Sequence, residues 1–199
     1  VSKPSFGFNE ETHFCTRVIW SNKRPINAVD APGVKTFSSL NSFDISDDTG
    51  SIKFAWDALS DKGSNLYALT DSGICLLMTD KRTVTDANIN NVALMAVPDS
   101  EGVKNQFWLS KNIGLNDETW RMAAEYENSL YFTNKKSAYK LTNNTAQDIS
   151  SGYNSKLKPH LIDTIGAGYT TLITGGYDPY HKEYWATKTN DTTFAYNDR

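Results

Sequence analysis

Residues 65–77, NLYALTDSGICLL, decide the fold, because they return in altered form as residues 129–141, SLYFTNKKSAYKL. Each copy has a polar residue, then Leu-Tyr, a short apolar strand, a polar turn and a second short strand that ends in leucine. Tyr67 therefore corresponds to Tyr131. Two short strands around a polar, turn-forming centre predict a β-hairpin.

A looser third copy runs from residue 183 to residue 196, where EYWAT and TFAY flank a polar turn. Tyr184 takes the tyrosine position in this copy. A further apolar segment precedes each hairpin, at residues 51–56, 119–126 and 169–174. We therefore predict three blade hairpins, over residues 51–77, 119–141 and 169–197, with equivalent structural positions at Tyr67, Tyr131, Tyr184, Leu77 and Leu141.

The repeat indicates how the apolar faces are buried. One hairpin cannot bury its apolar face alone, whereas several stacked copies can. Repeats of about 40–50 residues with four short strands per unit are typical of β-propellers. We expect residues 1–199 to form a single all-β module with propeller-like blades; a β-sandwich is the alternative. Because rings need about 4–8 blades, we expect an incomplete or multi-segment propeller within a longer chain.

Composition supports a β fold and excludes several kinds of function. Aromatic residues make up 12% of the chain, and they favour pleated, half-buried surfaces. The net charge is −3 and no basic block is present, so we expect no sequence-specific binding of nucleic acid. No apolar run approaches the roughly 20 residues that cross a bilayer, so we expect no membrane span.

The two cysteines predict no metal site. Cys15 and Cys75 both lie among apolar residues, which predicts two buried free thiols, with a disulfide as the alternative. His13, His160 and His181 form no set with zinc-ligand spacing. We therefore expect no cofactor.

The acidic loop at Asp44, Asp47 and Asp48 has only part of a calcium-binding pattern. A calcium loop needs a distal bidentate glutamate, and Ala55 stands at that position. The loop is therefore predicted to be a solvated turn. Asp178 and Glu183 are candidate carboxylates for glycoside hydrolysis, but nothing in the sequence places them together. We predict that the protein is not an enzyme.

One turn motif stands out in the third repeat. Tyr177, Asp178 and Pro179 precede the last hairpin, and Asp-Pro is a strong turn initiator. If the module instead binds carbohydrate or a receptor, exposed aromatic side chains such as Tyr180 or Trp185 are expected at a blade mouth. A glycosidase is the less favoured alternative.

Several stretches, in order, resemble a known family. They are FCTRVIWS at residues 14–21, LNSFDISDDTGSI at residues 40–52, the first hairpin, and GYDPYHKEYW at residues 176–185. Together they resemble the propeller-bearing tail nozzle, or muzzle, proteins of crAss-like and related short-tailed bacteriophages. The chain departs from the family pattern at Ser51, where that pattern has proline, and at Cys15, where it has asparagine.

This resemblance implies a structural role in the virion. The protein would form part of the distal tail, in the conduit through which DNA and ejected proteins pass. Its partners would be other phage tail proteins and copies of itself in a ring, and its location would be the tail of the virion.

Overall fold

The computed structural model describes residues 13–21, 37–60, 63–79, 102–117, 119–134, 137–151, 173–188 and 193–198. In these ranges the fold is all-β, as predicted. The strands, in chain order, are β1 Arg17–Ile19, β2 Ser42–Asp44, β3 Ile52–Ser60, β4 Gly63–Thr70, β5 Ile74–Thr79, β6 Val103–Ser110, β7 Ala124–Tyr126, β8 Ser129–Thr133, β9 Ala138–Thr142, β10 Thr145–Asp148, β11 Ile173–Asp178, β12 Glu183–Lys188 and β13 Thr193–Asn197.

These strands form antiparallel sheets in which neighbours along the chain are neighbours in space. The first sheet is β1–β2, the second is β3–β4–β5–β6, the third is β7–β8–β9–β10 and the fourth is β11–β12–β13. In the part of the chain that the structure describes, none of these sheets closes on itself. Each of the last three is an up-and-down meander, the simplest way to join antiparallel strands through short connections.

Two tight turns hold the third sheet in register. Glu127-Asn128 connects β7 to β8, and Asn143-Asn144 connects β9 to β10. All four residues have positive φ, between 44° and 65°. Two-residue hairpins with both central residues left-handed match the twist of the flanking strands, and asparagine tolerates this conformation.

The sheets stack in chain order, with an apolar cluster in each gap. The cluster between the first and second sheets contains Ile45, Cys75 and Leu77. The cluster between the second and third sheets is the largest; its fully buried members include Tyr67, Leu69, Leu115, Leu130, Phe132 and Leu141. The cluster between the third and fourth sheets is built on Met122, Tyr131 and Tyr184. The second and third sheets are therefore covered on both faces.

The hairpins lie where the repeat predicts strands, with two differences. β3–β5, β7–β9 and β11–β13 correspond to the predicted 51–77, 119–141 and 169–197, although β5 continues to Thr79 and β9 to Thr142. Residues 169–172 lie outside the described part of the chain. The sequence pattern missed the fourth strands, β6 and β10. Within the described ranges, no helix is long and apolar enough to cross a membrane.

The strand predicted over residues 119–126 is wrong in its first half. Trp120–Met122 form a single turn of 3-10 helix, and the strand begins only at Ala124. The cause is local: the Asn116 side chain accepts from the backbone N–H of Thr119 at 3.1 Å, and the Thr119 hydroxyl accepts from the N–H of Asn116 at 3.1 Å. This reciprocal pair closes the chain into a turn, which competes with strand formation.

Candidate functional site: the faces between stacked sheets

Tyr67 joins the second sheet to the third. Its ring is buried and stacks on Trp56 with centroids 5.1 Å apart. Its hydroxyl donates to Oδ1 of Asn144, in the turn that follows β9 of the next sheet. Burial raises the pKa of Tyr67, so the phenol stays protonated as a donor.

Tyr131 repeats this arrangement one sheet further along. Its ring packs against those of Tyr177, at 4.8 Å, and Tyr184, at 5.6 Å, both in the fourth sheet. Its hydroxyl donates to Oδ2 of Asp198, directly after β13, and Nζ of Lys140 lies 2.7 Å from the same oxygen. Burial chiefly, and then the hydrogen bond to the Asp198 carboxylate, raise the pKa of Tyr131.

Tyr184 is also buried, but its hydroxyl contacts the preceding sheet, whereas those of Tyr67 and Tyr131 contact the following one. Its hydroxyl donates to the backbone carbonyl of Met122 at 2.8 Å and lies 3.0 Å from Oγ1 of Thr133, both in the third-sheet segment. Burial raises its pKa. Each of the two sheets therefore contributes a tyrosine hydroxyl that reaches across the gap: Tyr131 donates to Asp198, and Tyr184 donates to the carbonyl of Met122.

The strand register shows that Tyr184 is not equivalent to Tyr67 and Tyr131, as the repeat predicts, but to the residue that precedes each of them. Leu66 pairs with Leu77, and Leu130 pairs with Leu141. In the fourth sheet the matching pair is Tyr184 with Tyr196. Tyr184 therefore takes the position of Leu130, and the position of Tyr131 belongs to Trp185. Leu77 and Leu141 are both buried on the face that looks toward the preceding sheet.

Trp185 consequently lies on the outer face of the fourth sheet. Its cross-strand neighbours are Gly176 on β11 and Ala195 on β13, and its side chain is 42% exposed. Alternation along a strand sends Tyr184 inward and Trp185 outward. The repeat did not reveal this shift, because either Tyr184 or Trp185 can be aligned with the tyrosine of the Leu-Tyr pattern.

The turn motif shapes the β11–β12 connection. Tyr177 stacks on Tyr126 at 4.3 Å. The Asp178 carboxylate accepts from the backbone N–H of Tyr180 at 2.8 Å and lies 2.7 Å from Nδ1 of His181, which lowers the pKa of Asp178. Pro179 is exposed in the turn. The motif therefore closes a hairpin end.

The two candidate carboxylates face each other across this hairpin. Asp178 and Glu183 are cross-strand partners, a proximity that the sequence analysis did not foresee. Asp178 is engaged with the turn, while Glu183 accepts from Nδ2 of Asn197 at 3.2 Å. Both carboxylates thus stabilise the ends of strands.

The acidic loop is tied to the rest of the module by ion pairs. Arg17 forms a bidentate ion pair with Asp44, in which Nε donates to Oδ1 and Nη2 donates to Oδ2, each at 2.7 Å. Asp48 pairs with Lys111. Among the described residues, no group of three histidine, cysteine or acidic side chains is placed to hold a metal ion. His160 lies outside the described ranges.

The cysteine prediction is right for one residue and wrong for the other. Both thiols are free; Cys75 is buried, whereas Cys15 is exposed. Burial raises the pKa of Cys75 to about 11, as expected for a thiol inside an apolar cluster. Cys15 precedes β1 in a turn and lies outside the apolar cluster that Val18 joins.

Comparison with known proteins leaves the description at the level of the fold. No family model matches the chain. No curated protein matches it either.

Proposed function

We propose that this chain is a structural, non-enzymatic module of a bacteriophage tail, and that its meanders act as blades of a propeller. One observation carries the proposal: successive sheets stack face to face, and a buried tyrosine hydroxyl of one sheet reaches the end of a strand in the next. Tyr67 to Asn144 and Tyr131 to Asp198 are the two instances. Buried aromatic rings whose hydroxyls are hydrogen-bonded hold neighbouring sheets together, as a structural role requires.

The approach of the first strands supports the propeller interpretation. β11 contacts β7 and the turn before it. At Gly175 an added Cβ would lie 2.4 Å from the backbone oxygen of Met122, so only glycine fits there. A propeller requires its blades to converge along one edge around a central channel, and close contact between first strands is consistent with that geometry.

The described polar groups support a structural role more than a catalytic one. Lys140 and Asp198 are paired beside Tyr131, and Asp178 and Glu183 hold strand ends. The ordered motifs over residues 14–197 supply the assignment to a tail nozzle or muzzle protein. In that role the module belongs to the distal conduit, beside other tail proteins and further copies of itself.

The test is the presence of the protein in virions. An antibody raised against the chain should label the distal tail of purified short-tailed particles whose genome encodes it, with an anti-capsid antibody as the control. Mass spectrometry should detect the chain in proportion to other tail proteins. If purified particles lack the chain while infected cells contain it, the virion role is wrong.

A second candidate function is binding of a carbohydrate or receptor. The exposed rings of Trp185 and Tyr180 at the fourth sheet favour it, because aromatic faces stack on sugar rings. A glycan array would reveal it, provided that binding is lost in Trp185→Ala or Tyr180→Ala. An array on which the wild-type chain binds no glycan would count against this function.

A further inference from the structure

Tyr126 and Tyr177 stack on each other across the gap between the third and fourth sheets. Their ring centroids are 4.3 Å apart and their planes are inclined by only 12°, so the two rings lie face to face in close contact. Tyr126 is the last residue of β7, and Tyr177 is the last but one of β11. The pair therefore joins the first strands of two neighbouring sheets.

This pair is also the most accessible of the tyrosine contacts in the described part of the chain. Tyr131 contacts both Tyr177 and Tyr184, at 4.8 Å and 5.6 Å, but these rings are less parallel. Tyr131 and Tyr184 are 1% and 0% exposed, whereas Tyr126 and Tyr177 are both partly exposed. A dissolved oxidant therefore reaches both rings of the Tyr126–Tyr177 pair, and only one ring or neither in the other two contacts.

A proton acceptor lies next to the pair. Glu127 follows Tyr126 in the tight turn between β7 and β8, and its carboxylate, as a hydrogen-bond acceptor, is the main cause that raises the pKa of Tyr126. A phenol that gives up an electron must also release its proton, and a carboxylate beside the hydroxyl accepts it. Glu127 is exposed, so the proton passes on to water.

The stacked arrangement has the orientation that coupling of two phenoxyl radicals requires. In such a radical the unpaired electron is shared between the oxygen and the ring carbons ortho to it, in orbitals perpendicular to the ring plane. Two rings that lie face to face direct these orbitals toward each other. A new bond between ortho carbons therefore forms across the stack, without a prior rearrangement of the two strands.

We propose that Tyr126 and Tyr177 form an oxidative cross-linking site, at which a one-electron oxidant converts the pair to dityrosine and joins the third and fourth sheets covalently. Two equivalents of the oxidant remove one electron from each ring, and each phenol releases one proton, that of Tyr126 to Glu127. A carbon–carbon bond forms between two ortho carbons, whose hydrogens then move to the oxygens and restore both phenols. The chain loses two hydrogens in all.

Brief oxidation of the folded chain at low concentration tests the site, with light, persulfate and a tris(bipyridyl)ruthenium complex as the source of oxidant. The wild-type chain should acquire dityrosine fluorescence while it remains a single chain, because coupling within a stacked pair is faster than encounter between chains. Mass spectrometry of a digest should find a peptide containing Tyr126 linked to one containing Tyr177, with a combined mass lower by two hydrogens.

Three phenylalanine variants locate the reaction. Tyr126→Phe and Tyr177→Phe keep the stacked rings but remove a phenol, so each should lower the yield of cross-link within the chain by about tenfold or more. Tyr180→Phe is the matched control, because Tyr180 is exposed in the β11–β12 turn and its ring contacts His181. Its yield should equal that of the wild type. Unchanged yields in Tyr126→Phe and Tyr177→Phe overturn the proposal.

Oxidation of the wild-type chain in urea provides a test that needs no variant. The yield of the Tyr126–Tyr177 link should fall by about tenfold or more when the chain unfolds, because the pair is then no longer held in place. An equal yield in the folded and unfolded chains would show that the stacking has no part in the reaction. A folded chain whose cross-links join only other tyrosines, or only separate chains, also overturns the proposal.

Discussion

Tyr131 shows how a single side chain joins two sheets. Its ring fills the gap beside Tyr177 and Tyr184, while its hydroxyl reaches Asp198, which also pairs with Lys140. A hydrogen bond to a charged group in a half-buried place contributes more than a surface pair, because little water competes for the carboxylate. The phenol therefore does more than fill space.

Tyr131→Phe should destabilise the fold by about 2 kcal/mol, because the partly buried Asp198 carboxylate loses one of its donors and keeps only Lys140, while the ring packing is retained. Urea denaturation followed by circular dichroism measures the change. Tyr180→Phe is the control. Tyr180 is exposed in the β11–β12 turn, so loss of its hydroxyl should change the free energy of unfolding by no more than about 0.5 kcal/mol. Equal midpoints for both variants would contradict the role assigned to the Tyr131 hydroxyl.

Gly175 and Gly176 are adjacent glycines with opposite surroundings. Gly175→Ala should destabilise by about 1–3 kcal/mol, because its Cβ would overlap the backbone of Met122. Gly176→Ala should be neutral within about 0.5 kcal/mol, because its Cβ points to the open outer face. Thermal melting of the two variants side by side checks this, and a larger loss for Gly176→Ala would refute the assigned faces of β11.

At the scale of elements, β8 is the most completely buried strand of the third sheet. All five of its residues are buried, with Leu130 and Phe132 toward the second sheet and Tyr131 toward the fourth. A strand covered on both faces needs apolar residues on both, so its sequence SLYFT lacks simple alternation. The repeat predicted the existence of this strand, but not that both of its faces are covered.

Leu130→Ala should cost about 2–5 kcal/mol, because the fully buried side chain leaves a cavity between two sheets. Leu40→Ala is the matched control, since Leu40 is exposed and precedes β2. Chemical denaturation gives both values. A loss below about 1 kcal/mol for Leu130→Ala would argue against the packing of β8 on the second sheet.

For the whole molecule, the buried tyrosines make the free energy of unfolding depend on pH in the alkaline range. The pKa values of Tyr67, Tyr131 and Tyr184 are raised in the folded chain, mainly by burial. A raised folded pKa means that the stabilisation is fully present below the unfolded pKa of about 10 and declines as pH rises above it. The gaps between the sheets accommodate the neutral phenol, whereas the charged phenolate is disfavoured there because burial removes it from water.

Unfolding free energy should therefore fall as pH rises above about 10, by up to about 1.4 kcal/mol per pH unit for each such tyrosine that ionises only on unfolding. Denaturant titrations at stepped pH measure the slope. Tyrosinate absorbance should rise together with the loss of circular dichroism for the buried tyrosines. Tyrosinate formation complete well before unfolding would contradict their burial.

The sequence by itself determined the all-β class and most of the hairpins, because strand alternation and turn residues are local properties of the chain. Tertiary structure alone decided which face each strand presents. The Tyr184-Trp185 pair fits the repeat in either of two registers, and only packing against the third sheet places Tyr184 inside and Trp185 outside. A shift of one residue reverses every side chain of a strand, and that choice depends on long-range contacts.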